Sequence, residues 1–176
     1  MDIINLAEPY DLPPVDWQRI VSELDRGITQ KPDAGGPNRF TTWLTTLNAD
    51  GSPNVTAVGA LWVDGTFWFQ TGEKTRKGRN LARDPRCAMS VSTHDFDLVV
   101  EGAASLVEDP DAVRAMVERW VEGGWPVEVD ESGIALTAPY SAPSAGPPPW
   151  RVYRVEPSGA TALVSAEPGG ATRWRF

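Results

Sequence analysis

The stretch Phe67-Trp68-Phe69-Gln70-Thr71-Gly72-Glu73-Lys74-Thr75-Arg76-Lys77-Gly78-Arg79-Asn80-Leu81 changes character at its middle. Its opening residues are aromatic or β-favouring and predict a strand over Thr66 to Thr71. Gly72 to Lys74 then reads as a loop, and Thr75 stands where a helix N-cap belongs, ahead of a short helix over Arg76 to Arg83. Asp84-Pro85 stops that helix, because the residue before a proline is pushed out of the helical region. A strand that passes through a short loop into a helix start offers a place for an anion. The N–H groups of the first turn have no intrahelical acceptor, and the helix dipole adds partial positive charge. Arg76 can grip a phosphate with a planar fork, Lys77 adds a point charge, and Thr75 offers a hydroxyl. Two cations in a first turn are locally unfavourable, since that end of a helix prefers acids. The alternative is a solvated basic turn balanced by nearby acids such as Glu73.

Working outward, the preceding chain also reads as β. Phe40 to Leu47 is rich in Thr and large apolar residues, Asn48-Ala49-Asp50-Gly51 is a turn signal, and Asn54 to Val63 is a second strand. Asp64-Gly65 is a tight turn into the strand that begins at Thr66, so the three strands predict a meander of hairpins. Beyond the short helix, Cys87 to Thr93 and Leu98 to Val107 are two further strands. Asp109-Pro110 then opens a helix as N-cap and first position, with Val113, Met116, Val117, Trp120 and Val121 on its apolar face. Gly123-Gly124-Trp125-Pro126 breaks it. Near the beginning, Trp17, Ile20, Val21 and Leu24 fall on one face of a helix, with Pro14 suited to its first turn and Gly27 near its end. Residues 1–13 are expected to form an arm, and Lys31 to Asn38 a loop. Residues 127–149 are expected to be irregular, and Ser141 to Pro149 is rich in Pro, Ser and Gly. A last pair of strands is expected at Trp150 to Glu156 and Ala160 to Ser165, with a short strand in the tail from Thr172 to Phe176. The expected architecture is one mainly β domain over residues 1–176. It has a few helices and six or seven antiparallel strands closed into a barrel, which hides the strand edges.

Composition narrows the partners. The 176 residues are 41 % hydrophobic and 23 % charged, ordinary for a globular protein, and the formal net charge is −8. That balance argues against general nucleic-acid binding and against docking on anionic membranes. The N-terminus has no basic region followed by an apolar stretch, and no apolar run approaches the length of a membrane span. A cytoplasmic, reduced compartment is therefore expected. The single cysteine, Cys87, sits in an apolar run and reads as a buried strand residue. The single histidine, His94, excludes a multi-histidine metal centre, and no metal is expected. Asp and Glu residues scatter over turns and helix faces without forming an acid–base pair, so no catalytic residue is assigned. Eight tryptophans are many for this length, and packing accounts for most of them; Trp62 and Trp150 are the candidates for a wall against a ring system.

Taken together, these motifs resemble the pyridoxamine 5′-phosphate oxidase-like family. The resemblance rests on Thr45 with Asp50-Gly51-Ser52-Pro53-Asn54-Val55-Thr56, the Asp64-Gly65 hairpin, the aromatic strand, Thr75-Arg76-Lys77-Gly78, and Asn80-Leu81 with Asp84-Pro85-Arg86. It covers residues 38–107 well and 150–176 loosely. It implies a flavin-binding split β-barrel in which Thr75, Arg76 and Lys77 hold the cofactor phosphate. The backbone of Val58, Gly59, Ala60 and Leu61 would line the isoalloxazine ring, and Gln70 and Thr71 would approach the ring or the ribityl chain. It also implies a homodimer with cofactor at the interface, to which a contact near Asp97 and a late Trp150 and Arg154 would reach across. Two departures narrow the reading. The oxidases proper carry an Arg at the start of the ring-lining strand, where Thr56-Ala57-Val58 has none, and further basic and His residues that are absent here. The wording around Arg79-Asn80-Leu81 and Asp84-Pro85-Arg86 is similar to the branch of deazaflavin-dependent reductases. The implied cofactor is therefore FMN or coenzyme F-420, an 8-hydroxy-5-deazaflavin whose acidic tail Lys74 and Arg79 could meet. The implied activity is hydride transfer between that cofactor and a small organic substrate. A cofactor-binding carrier or sensor without turnover, and a barrel with no cofactor, are the alternatives.

Overall fold

The computed structural model of the chain describes residues 1–28 and 42–176. The loop expected over Lys31 to Asn38 and the first residues of the strand expected from Phe40 lie outside the described residues. Eleven β segments and three α-helices are present among those described: β1 (Asp2–Asn5), α1 (Trp17–Asp25), β2 (Thr42–Leu47), β3 (Pro53–Val58), β4 (Ala60–Val63), β5 (Thr66–Thr71), α2 (Arg76–Arg83), β6 (Arg86–Ser92), β7 (Phe96–Leu106), α3 (Pro110–Glu122), β8 (Glu128–Val129), β9 (Ala135–Thr137), β10 (Trp150–Val164) and β11 (Gly170–Arg175).

All pairings are antiparallel, and the main path runs β1-β11-β10-β7-β6-β2-β3. The β4–β5 hairpin joins it through β10, whose residues Arg151–Val155 pair with Thr71–Phe67. The sheet wraps around one apolar core. Leu44, Phe67, Phe69, Met89, Leu98, Val100, Val155, Ala162 and Trp174 meet there beneath Ile20 and Leu24 of α1. A second cluster lies on the other face of β5 and β10, where Trp68, Trp150 and Val152 meet Val113, Met116 and Trp120 of α3. Phe67-Trp68-Phe69 is apolar without interruption because β5 is covered on both faces.

The segment count exceeds the expected six or seven strands, for identifiable reasons. The strand expected over Asn54 to Val63 is two strands: β3 pairs with β2, the chain leaves the ladder at Gly59, and β4 pairs with β5. Conversely, the two strands expected around Pro157-Ser158-Gly159 are one. These residues form a bulge within β10 instead of a turn, with the register shifting between Pro157 and Gly159. Residues 127–149 contain β8, β9 and a 3-10 turn at Pro143–Ala145, because Ala135 and Leu136 are apolar enough to be buried and pair with β10. Within the expected arm, β1 pairs with β11. Helix α1 begins later than Pro14 suggests, since the Asp16 side chain caps it by accepting from the Gln18 N–H at 3.0 Å.

Leu44 lies wholly buried in β2, whereas Val55 on β3 is largely exposed. Leu44→Ala should cost about 2–5 kcal/mol, and Val55→Ala within about 0.5 kcal/mol, of unfolding free energy. Urea denaturation of the two variants checks this difference.

Candidate functional site

The end of β5 delivers the chain into the turn singled out by the sequence. Thr75 has extended dihedrals (φ −71°, ψ 164°), and its hydroxyl accepts from the Gly78 N–H at 3.1 Å, which caps α2. The same hydroxyl donates to the Gly72 carbonyl at 2.7 Å and lies 3.1 Å from the Thr71 hydroxyl. Its one proton is thereby engaged within the loop. Gly78 is required here: a Cβ on it would stand 2.4 Å from the Gly72 carbonyl oxygen and 2.8 Å from that of Glu73. Helix α2 can therefore close directly onto the loop.

The two cations of the turn have different surroundings. Arg76 points outward and is exposed. Lys77 is 3 % exposed, and its Nζ donates to the backbone carbonyl of Ser144. Burial lowers the Lys77 pKa below the usual lysine value. No carboxylate among the described residues pairs with it. Glu73, two residues before the cap, is instead 3.8 Å from Arg151 on β10, which is also 3.6 Å from Glu108. Lys74 and Arg79 are both exposed, and the Arg79 guanidinium donates to the Lys74 carbonyl.

A cavity of about 550 Å³, within the usual range for small-molecule sites, reaches β5 at Gln70, five residues before the cap. Four of the expected site residues line it: Gly59, Ala60, Leu61 and Gln70. A Cβ at Gly59 would meet nothing within 4 Å, so a flat ligand can approach the backbone there. The Gln70 amide donates to the Ser141 hydroxyl at 3.2 Å, while its carbonyl oxygen is buried with no partner among the described residues. The far wall comes from Trp120 and Trp125, whose rings meet edge to face at 6.0 Å, and from Tyr140. Val58, Thr71, Thr75, Arg76 and Lys77 are outside the lining. The cavity and the turn are linked through Gln70-Thr71-Gly72 and through the segment that begins at Tyr140.

Trp62 lines the cavity, but its ring belongs to the main core. Trp150 is buried in the second cluster, 5.8 Å from the Trp125 ring, and Arg154 lies over the Trp68 ring at 5.5 Å. The sequence reading missed Arg151, the Trp120–Trp125–Tyr140 wall and the 140–147 segment. The only available signal was the Pro, Ser and Gly content of that segment, which carries no information on where it lies. Cys87 is half-buried, and burial pushes its thiol up to about 12, which keeps it protonated and unreactive. Among the described residues there is no group of three or more His, Cys, Asp or Glu able to hold a metal ion, and no helix long and apolar enough to cross a membrane.

The family model described as "Pyridoxamine 5′-phosphate oxidase" matches residues 30–162, and the chain belongs to that family. No curated protein matches the sequence. Among solved structures, the chain is similar to a pyridoxamine 5′-phosphate oxidase-related, FMN-binding protein from Nostoc punctiforme, at 15 % identity over 93 % of each chain and a TM-score of 0.59. A putative 5-nitroimidazole antibiotic resistance protein from Bacteroides thetaiotaomicron matches at 14 % identity over 99 % of this chain and 92 % of its own, with a TM-score of 0.58. A heme-binding protein from Mycobacterium smegmatis matches at 14 % identity over 91 % of this chain and 58 % of its own, with a TM-score of 0.57. At these identities the likeness shows the fold: a mainly antiparallel split β-barrel.

Lys77 gives a pH signature. Its folded pKa lies below the usual lysine value of 10.5, so between the two the unfolded chain holds the extra proton. Stability of the wild type should therefore rise with pH on approaching 10.5, relative to Lys77→Met, which has no proton to release. Urea unfolding of both proteins across this range, compared as a difference, checks the sign.

Proposed function

We propose that this protein is a flavin- or deazaflavin-dependent oxidoreductase that transfers a hydride between the bound cofactor and a small organic substrate. The observation that carries the reading is the buried Lys77 ammonium at the start of α2, with a neutral backbone carbonyl for its partner and no carboxylate beside it among the described residues. Buried charges are ordinarily paired, and the charge missing here is negative. An anion at this turn would also meet the exposed Arg76 fork and the first-turn N–H groups of α2.

The residues present fit a phosphate-bearing ring cofactor. Arg76 and Lys77 would hold its phosphate, with Thr75 keeping the turn in shape as the helix cap. Gly59, Ala60 and Leu61 would offer backbone to its ring, and the unpartnered Gln70 oxygen would accept from it. Val58 and Thr71 flank those positions in sequence. Such a cofactor supplies the hydride chemistry, while the protein binds, orients and excludes water. FMN and coenzyme F-420 both suit this arrangement; the acidic tail of the latter would extend toward Lys74 and Arg79. The active form we propose is a cytoplasmic homodimer with Trp150 and Arg154 near the shared site.

Titration of purified protein with FMN and with F-420, followed by absorbance and fluorescence, tests the reading. A charge-assisted contact is worth about 1.5–3 kcal/mol when buried and less when exposed, so Arg76→Ala with Lys77→Ala should weaken cofactor binding by at least about tenfold. Unchanged affinity in that double variant refutes the site. Oxidation of the reduced cofactor by enones or quinones then separates turnover from storage or sensing.

A further inference from the structure

We infer that Tyr140–Pro147 is a strap that forms the second jaw of the anion grip, and that Gly146 is the positioning residue that lets it close on Lys77. The inference rests on the reading above that this turn holds an anion.

The strap is tied down at five points by donors from different parts of the fold. Trp125 Nε1, just beyond α3, donates to the Tyr140 carbonyl at 2.8 Å. Gln70 of β5 donates to the Ser141 hydroxyl at 3.2 Å. Lys77 of α2 donates to the Ser144 carbonyl, and the Gly72 N–H donates to the Ala145 carbonyl at 2.9 Å. Trp150 Nε1 of β10 donates to the Gly146 carbonyl at 2.8 Å. Ala145 is buried in the second cluster and anchors the middle of the strap. Tyr140, Ser141 and Ala142 wall the cavity, while Ser144 holds the Lys77 ammonium. One short segment thus spans both halves of the proposed cofactor site.

This geometry has a consequence for binding. An ammonium has three N–H donors, and the Ser144 carbonyl takes one, leaving two for an anion. A lysine already immobilised by the strap loses less rotamer freedom when the anion arrives.

Gly146 makes the closure possible. Its dihedrals (φ 72°, ψ −174°) lie in a region essentially restricted to glycine. A Cβ there would also stand 3.0 Å from Thr75 Cγ2, pressing on the residue that caps α2. Gly146→Ala should therefore loosen the strap without altering any side chain that lines the cavity or any charge at the turn.

Two measurements test this. In the first, acetylation of the cofactor-free protein by acetic anhydride is followed by mass spectrometry, with exposed Lys74 as the reference. In the wild type Lys77 should react at least about tenfold more slowly than Lys74, and Gly146→Ala should bring the two within about threefold, with Lys74 unchanged. Should Gly146→Ala fold poorly, Trp150→Phe keeps an apolar ring but removes the tie to the Gly146 carbonyl, and should speed Lys77 labelling in the same direction. Equal labelling of the two lysines in the wild type, or Lys77 labelling that neither variant alters, overturns the strap. In the second, Gly146→Ala should weaken FMN binding by about tenfold in the wild-type background and by less than about threefold in a Lys77→Met background, because the strap's hold on the phosphate passes through Lys77 while its share of the cavity wall does not. An equal loss in both backgrounds overturns the positioning role. FMN binding to none of these proteins would count against the cofactor reading, while the labelling experiment would still decide the strap.

Discussion

The shared strand β10 is the constraint on which the rest of the structure depends. Over Tyr153–Val155 it is hydrogen-bonded on one edge to β5 and on the other to β7, so the β4–β5 hairpin meets the larger sheet through these few residues. Beyond the bulge at Pro157 the same strand carries β11 in place of β5. One strand can serve both partners because the bulge bends it and increases its twist. The proline also lacks the N–H that a regular central position would require. The position of the turn before α2 follows from this. β5 is fixed by β10 along one edge and covered on both faces, so its C-terminal end, where the loop and α2 begin, is held by the pairing of Gln70 and Thr71 with Val152 and Arg151.

What the sequence disclosed follows the range of the forces involved. Helix α2, its cap and its stop were legible because Thr75, Asp84 and Pro85 act within a few residues of themselves. Helix α3 was legible for the same reason, with the Asp109 side chain accepting from the Asp111 N–H at 3.0 Å. The Asp64-Gly65 turn was legible because both residues take positive φ, the signature of a tight hairpin. The failures all concern partner choice. Nothing local to Gly59 states that the strand before it pairs with β2 and the strand after it with β5. Pro157-Ser158-Gly159 has the composition of a turn, and only the two flanking ladders make it a bulge. The placement of Ser144 over Lys77 was illegible in principle, because the acceptor is a backbone carbonyl and carries no side-chain signature.

The electrostatics of the turn show why composition alone misleads. The chain has a formal net charge of −8, yet its buried lysine has no carboxylate partner among the described residues while acids lie close by. Glu73 is the nearest candidate in sequence, and it is exposed and directed to Arg151. A fold that only needed to neutralise Lys77 could do so with that carboxylate, or replace the lysine with an apolar residue of the same length at no loss of packing. Retaining a desolvated ammonium against a neutral carbonyl is a local conflict of the kind that natural sequences tolerate at functional sites.

The same logic separates the two cations. Arg76 is solvated, so its contribution to holding an anion is discounted by water and salt. Lys77 is buried, so its field would reach an anion in the proposed site with less screening, and desolvation has already weakened its hold on its own proton. In the proposed site the two would therefore divide the task by environment. Arg76 would offer directional recognition at the rim, and Lys77 a fixed charge beneath it. The strap is what keeps Lys77 in that state, since without its cover the ammonium would regain water and the distinction would disappear.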